Sequence, residues 1–411
     1  MLLGGLSPQR FLRRHWQKWP LLVRGAIPDF RDPITPARLL ALAGRADVES
    51  RLVRERGGAR PWEVTPGPLP PAPRRGLGPS HWTVLVQNVD AHVPGVADLI
   101  ERFDFLPRWR VDDVMVSLAA PGGSVGPHVD SYDVFLLQGR GRRRWGVAAR
   151  FVEVYRRRLD LRVLRGFRAE REWVLEPGDM LYLPPGVAHH GVALEECLTY
   201  SIGLRAPSQY DVVAGLLQRT VARVDRSRLY RDPDLVPARE PGEIAAAALA
   251  RLRRLVVAGA RTTAADFVRF AGEHLTERRL EESAPRARRV HPAALGRALR
   301  AGAALVRRPG ARVAFVRRGT RAVFFADGRH WALPPRLAAV APTLTRRRRI
   351  AAPSLRPLLR RRGLIALLAE LVSARVFDVE TRGRAPAARA SARGRRGSRR
   401  GSGWPGTRAR P

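Results

Sequence analysis

A histidine and an aspartate two residues apart follow a glycine-rich turn in GPHVDSYDVF, Gly126 to Phe135. Side chains two apart on a strand point the same way, so His128 and Asp130 are expected on one face. Sixty-one residues after His128, the segment EPGDMLYLPPGVAHHGV reads as a strand and a proline-glycine turn that delivers His189 and His190. Adjacent strand residues face opposite ways, so only one of this pair is expected to join the site. His189, the first after PPGVA, is the candidate; His190 is expected beside the site or toward solvent. Two imidazoles and one carboxylate on one face of a metal leave three positions open. That suits non-haem iron(II), which must hold a co-substrate and dioxygen together. Ligands on paired strands would be held rigidly enough for a reactive metal to strike one carbon.

A second candidate element is GRGRRRWGV, Gly139 to Val147. Alternation places Arg143 on the face opposite Arg142 and Arg144. A guanidinium in the pocket could clamp the far carboxylate of a bound keto acid, and the others would be solvated. Spacing alone leaves open which arginine turns inward. Ser117, Tyr132, Thr199 and Ser201 are candidates to line the same cavity, and Tyr132 shares the parity of His128 and Asp130. Asp112 and Asp113 could accept hydrogen bonds from a cationic substrate residue, although capping and solvation explain them as well. His15, His81, His92, His274, His291 and His330 show no obvious partners and read as surface or packing residues.

The elements that must position these groups change along the chain. Residues 1 to about 78 mix short helices and strands: Leu21 to Arg24 reads as a strand, TPARLLALA from Thr35 as a capped helix start, and PGPLPPAPRRGLGPS as a loop. From about 80 to 205, short apolar runs between turn signals (WTVLVQNV, DDVMVSLA, DVFLLQG, RRRWGVAA, REWVLEPGD, MLYLPPG, LTYSIGLR) argue for antiparallel β structure, a barrel or jelly roll. Helical spacing takes over in 208–228 and 241–280, a linker or dimerisation surface. Beyond that, HPAALGRALRAG reads as a helix, VRRPGARVAFVRR and RAVFFADGRHWALP as a short strand pair, and PSLRPLLRRRGLIALLAELVSARV as helical, together a winged-helix-like unit.

Length and composition set the outer bounds. A chain of 411 residues, 45% hydrophobic, predicts two or three domains with filled cores. Cys197 is the only cysteine, which excludes a disulfide-stapled fold and a cysteine-based zinc site; it reads as core packing. No apolar run is long enough to span a membrane and no signal-peptide core is present, so a cytoplasmic protein is expected. The net charge is +38, with Lys18 the only lysine. Such a charge attracts polyanions, and a nucleic-acid or ribonucleoprotein setting is expected beside the plainer reading of a solvated arginine surface. The tail TRGRAPAARASARGRRGSRRGSGWPGTRARP has ten arginines and few core-forming residues; it reads as disordered and cationic.

The run WRVDDVMVSLAAPGGSVGPHVDSYDVFLLQGRGRRRW, with EPGDMLYLPPGVAHHG and TYSIGLRAPS, resembles the bacterial ribosomal oxygenases, JmjC-type members of the cupin superfamily. FLRRHWQKWPLLVRGAI and DPITPARLLALAGRADVESRLV are similar too. The resemblance covers about residues 8 to 235, and the winged-helix region more loosely. It implies a mainly β, double-stranded β-helix (jelly-roll) catalytic domain over 1–207, a helical dimerisation segment over 208–280 and a winged-helix-like domain over 281–380, ahead of the 381–411 tail. It implies iron(II) held by His128, Asp130 and His189, and 2-oxoglutarate held by Arg143; Ser117, Tyr132 and Ser201 are the candidates to bind the co-substrate beside it. The implied reaction is hydroxylation of the C-3 carbon of an arginine in large-subunit ribosomal protein uL-sixteen (uL16), by a homodimer. Contact with rRNA or the ribosome is an expectation from the basic surface and tail instead, with a non-specific tail an equally good account. Ala119, where the family tends to carry serine, and Thr199, in place of asparagine, depart from the pattern. Two rivals stay open: histidine hydroxylation or lysine demethylation on the same fold, and an inactive ribosome- or nucleic-acid-binding module.

Overall fold

The computed structural model describes residues 2–57, 61–70, 76–157, 159–237, 244–278 and 289–381. The arginine-rich tail from residue 382 on, and part of the proline-rich loop, lie outside the described residues.

The apolar runs form strands because they can bury side chains between two sheets. In chain order they are β1 (Leu21–Val23), β2 (Ser50–Glu55), β3 (Trp62–Pro66), β4 (Trp82–Val86), β5 (Val111–Ala119), β6 (His128–Val129), β7 (Val134–Gln138), β8 (Arg143–Ala148), β9 (Arg171–Leu175), β10 (Met180–Leu183), β11 (Ala188–Ala193) and β12 (Cys197–Leu204). The larger sheet runs β1-β10-β7-β12-β5-β4-β2-β3 and the smaller β6-β11-β8-β9. From β5 to β12 the chain passes back and forth between the sheets, the winding of a double-stranded β-helix. Val134, Leu136, Leu181 and Leu183 of the larger sheet pack against Trp145, Val147 and Leu175 of the smaller. β12, central and flanked by β5 and β7, is buried along its whole length. β2 and β3 extend the larger sheet from the N-terminal region.

Buried carboxylates pin the N-terminal region to the barrel. Asp133, fully buried, accepts from the Tyr182 hydroxyl at 2.5 Å, Gln17 Nε2 at 3.1 Å and an Arg110 nitrogen at 3.1 Å. Asp179 accepts from Arg24 and from the backbone N–H of Gly25. The helix Pro36–Ala43 starts where expected, with the Thr35 side chain accepting from Arg38 N.

The helical segment consists of Gln209–Val221, Ala246–Gly259 and Ala264–Thr276. Ser208 and Thr263 each begin a helix with a capping box closed by an aspartate three residues on. The last region is richer in β structure than the expected strand pair. β13 (Ala304–Arg307) pairs with β17 (Arg349–Ile350) and β18 (Phe377–Glu380), and β14 (Val313–Arg318), β15 (Arg321–Ala326) and β16 (Arg329–Leu333) form a meander. The extra strand arises at Asp327-Gly328, both at positive φ, which is what a two-residue hairpin demands. The helices Pro292–Arg300 and Leu364–Ser373 pack on these sheets in a second core.

Charge joins the two units. Glu101 receives Arg108 at 2.9 Å and Arg307 at 3.0 Å, and Arg348 reaches Asp98 at 2.6 Å. Burial, and then the nearby Arg108, pull the Arg307 guanidinium down to about 10. Removing one member of a buried pair strands the other, which costs more than the pair is worth. Glu101→Gln is therefore expected to lower unfolding free energy by about 3 kcal/mol in denaturant titrations. Adding Arg307→Met to that variant should recover most of the loss.

Candidate active site

The ligand set forms where the smaller sheet meets its end turns. β6 pairs with β11 so that His189 lies directly opposite His128. The two rings sit 4.2 Å apart, centre to centre, and His189 Nε2 is 3.6 Å from Asp130 Oδ2. Ligand atoms of all three residues lie within 4.8 Å of one another, the spacing of a metal's coordination shell. β6 is only two residues long, so Asp130 is not held by strand parity as expected. Its carbonyl accepts from the N–H of Gly186 in the proline-proline-glycine turn, which ties it to the approach to His189. Gly186 is at positive φ. Gly126, also at positive φ, has no room for a Cβ, which would meet Val163 and Trp62. The turn before the first ligand therefore requires glycine.

Backbone carbonyls set the histidine tautomers. Nδ1 of His128 lies 2.9 Å from the Gly126 carbonyl, and Nδ1 of His189 lies 3.0 Å from the Val187 carbonyl. A carbonyl only accepts, so each Nδ1 carries the hydrogen and each Nε2 keeps a lone pair for a metal. Burial, and then His128, push His189 down to about 4, which keeps it neutral. His190 turns away: its Nε2 is 2.9 Å from the buried Ser124 hydroxyl and its ring meets Phe167 edge-on.

From the ligands a cavity of about 570 Å³ runs between the sheets. Ser117, Tyr132, Arg143, Thr199 and Ser201 all line it. Strand alternation turns Arg143 inward, only 3% exposed, and leaves Arg144 outside; Arg142, just before the strand, pairs with Glu195 at the surface. Arg143 donates to Ser117 Oγ at 3.1 Å and Thr199 Oγ1 at 3.3 Å. Trp145, two residues on and so on the same face, lies beneath the guanidinium at 5.2 Å. Among the described residues Arg143 has no carboxylate within ion-pair distance, and its buried Nε has no hydrogen-bond partner. Desolvation lowers its pKa. A buried cation without a counter-charge is costly, and an anionic ligand at the cavity end would supply one.

Some of this lay beyond sequence reading. Thr199 sits within the Arg143 network: its hydroxyl also donates to Gln138 Oε1 at 3.2 Å, so the threonine keeps a polar link there. The buried Ser124 and Gln138 carried no signal, whereas Trp145 was legible as the same-face neighbour of Arg143. Asp112 and Asp113 line the cavity within β5, and both are engaged. Asp112 accepts from Arg312 of the last region at 2.9 Å, and Asp113 accepts from Asn88 N. His330, expected without a partner, pairs with Glu273 at 2.5 Å.

A double-stranded β-helix carrying two histidines and one carboxylate beside an uncompensated arginine defines the class of metal- and 2-oxo-acid-dependent oxygenases. The JmjC domain family matches residues 98–212 and the ROXA-like winged helix family residues 221–377. The ribosomal protein uL16 3-hydroxylase of Escherichia coli strain K12 is 38% identical over 305 residues, 74% of this chain and 80% of that protein. A probable ribosomal oxygenase of Haemophilus influenzae is 38% identical over 234 residues, 56% of this chain and 55% of that one. The solved ribosomal oxygenase from Escherichia coli in complex with cobalt and 2-oxoglutarate superposes with a TM-score of 0.76 at 34% identity, over 92% of this chain and 99% of that chain. The chain belongs to the JmjC-domain ribosomal oxygenases.

His190 offers a pH test. Burial, and then His128, Arg143 and Arg144, lower it to about 4. The unfolded chain, with an ordinary histidine, binds the proton first, so stability is full above about 6.5 and is lost as pH falls toward 4. His190→Gln should flatten the fall in melting temperature of the metal-free protein between these values; an unchanged slope would show that His190 does not titrate with folding.

Proposed function

We propose that this protein is an iron(II)- and 2-oxoglutarate-dependent dioxygenase that hydroxylates the C-3 carbon of an arginine in ribosomal protein uL16, releasing succinate and CO2. The observation that carries the reading is the buried, uncompensated Arg143 guanidinium in the cavity that opens onto His128, Asp130 and His189. The nitrogen and oxygen donor set fits iron(II), and the cation fits the distal carboxylate of a five-carbon keto diacid. The Escherichia coli uL16 3-hydroxylase and its cobalt- and 2-oxoglutarate-bound relative support the same assignment.

Bound iron, with 2-oxoglutarate and dioxygen, supplies the oxidation. The chain's own part is to hold and exclude. His128, Asp130 and His189 present three donors from one side and leave the other side for reactants. Arg143, set by Ser117, Thr199 and Trp145, fixes the co-substrate's far end, and Tyr132 and Ser201 bound the space beside it. Asp112 and Asp113 give the cavity an acidic wall suited to a guanidinium target. In this reading residues 1–207 carry catalysis and 281–380 brace it through Arg312. The helices of 208–280 form a homodimer contact, in keeping with the exposed Val213, Leu217 and Val221, four residues apart on one helix. No described helix is long and apolar enough to cross a membrane; a ribosomal substrate is in keeping with a cytoplasmic protein.

Mass spectrometry of recombinant uL16 incubated with the enzyme, iron(II) and 2-oxoglutarate should show a gain of about 16 Da on one arginine, absent without 2-oxoglutarate. A gain on a histidine of another ribosomal protein would keep the chemistry and move the substrate. His128→Ala, Asp130→Ala and His189→Ala should each abolish turnover with the fold intact. Arg143→Ala should chiefly raise the KM for 2-oxoglutarate, by about a hundredfold for a lost charge-assisted clamp.

A further inference from the structure

Away from the cavity, the strongest unexplained feature is positive charge. Between Asp327 and Glu370 the chain has ten arginines and neither aspartate nor glutamate. Where this stretch meets other segments, their acids neutralise it: Arg347 pairs with Asp104, Arg348 with Asp98 and Arg349 with Glu380. Among the described residues Arg336, Arg356, Arg360, Arg361 and Arg362 have no such partner, and all five are exposed.

Two of these five side chains are held in place. Arg336 Nε donates to the Arg362 carbonyl at 3.2 Å, and Arg361 donates to the Arg336 carbonyl at 2.8 Å. Leu337, Leu355, Leu359 and Leu364, interleaved with them, are buried in one core. The backbone beneath the guanidiniums is therefore anchored, and Arg336 is tied directly to Arg361 and Arg362.

Two observations say what meets them. The proposed target side chain is itself a cation, so this face repels it and serves something next to it. Among the described residues no large apolar side chain beyond Phe267 is exposed, so the face lacks the anchors a protein interface is built on. Guanidinium forks match phosphate oxygens. We propose that the face formed by Arg336, Arg356 and Arg360–Arg362 binds the sugar-phosphate backbone of RNA, so that the substrate protein is met beside RNA. The inference leans on the hydroxylase reading only for the charge of the target; RNA binding is read separately from hydroxylation, so either can fail alone.

The test is fluorescence anisotropy of a labelled single-stranded RNA with the full-length protein, titrated against salt. The triple variant Arg356→Glu, Arg360→Glu, Arg362→Glu leaves both side-chain-to-carbonyl bonds intact. It is expected to weaken binding by at least about tenfold and to make the log K against log salt slope shallower by about 2, with hydroxylation of a short uL16 peptide unchanged. Lysine at the same three positions should preserve the slope. Should the triple variant fail to fold, Arg362→Glu alone should reduce the slope by about 0.7. Unchanged affinity and slope, or no RNA binding by the wild-type protein, would overturn the proposal. So would polyglutamate of equal charge binding as tightly and with the same loss in the variant, which would point to an acidic protein surface instead.

Discussion

A guanidinium is sunk between two sheets with no carboxylate among the described residues to balance it, and much of the barrel is arranged around that fact. Arg143 cannot leave, because it sits on a strand paired on both edges, with Ala193 on one side and Leu175 on the other. It is kept tolerable by a serine, a threonine and the face of a tryptophan, all neutral. Neutral partners lower the desolvation cost without cancelling the charge. The cavity thus keeps an attraction for an anion that a local salt bridge would have used up. The candidate metal ligands His128, Asp130 and His189 stand in the same cavity, so an acid drawn to Arg143 is drawn toward them.

The ligand set obeys a related economy. Both imidazoles are aimed by carbonyls of their own turns, two residues away in each case, and burial holds His189 neutral. The carboxylate is anchored through its backbone to the turn that carries the second histidine. Each ligand is positioned by short-range geometry, and the β6–β11 pairing brings the local pieces together. The acidic wall at Asp112 is braced from outside by Arg312, so the last region of the chain reaches the rim of the cavity. Catalytic and winged-helix units therefore share a boundary made of charge.

Arginine does different work in different places. Inside the barrel it is an unpaired clamp; at the unit boundary it is matched with Asp98, Glu101 and Asp112; on the outer face around Arg336 and Arg362 it is unmatched and exposed. The net charge of the chain conceals these distinctions, because composition counts residues and not neighbours.

What the sequence by itself determined was local. The candidate ligand residues, the inward arginine's parity, the strands of the barrel and the capped helix at Thr35 follow from alternation, turn residues and side-chain chemistry, all of which act over a few residues. The resemblance to the ribosomal oxygenases rested on the same motifs. Where a local rule was stretched it failed: strand parity was assumed at Asp130, yet β6 ends at Val129 and a turn from another part of the chain holds the aspartate. The third strand of the meander was legible too, in the Asp327-Gly328 dipeptide between two apolar runs, but reading RAVFFADGRHWALP as a single strand passes over that turn. Only the tertiary structure decided that Arg143 lacks a counter-ion, that Thr199 links it to Gln138, that Arg312 braces Asp112, and which surface arginines stand without an acid. Those are facts about residues tens to hundreds of positions apart, and sequence spacing carries no measure of such distances until the sheets have closed.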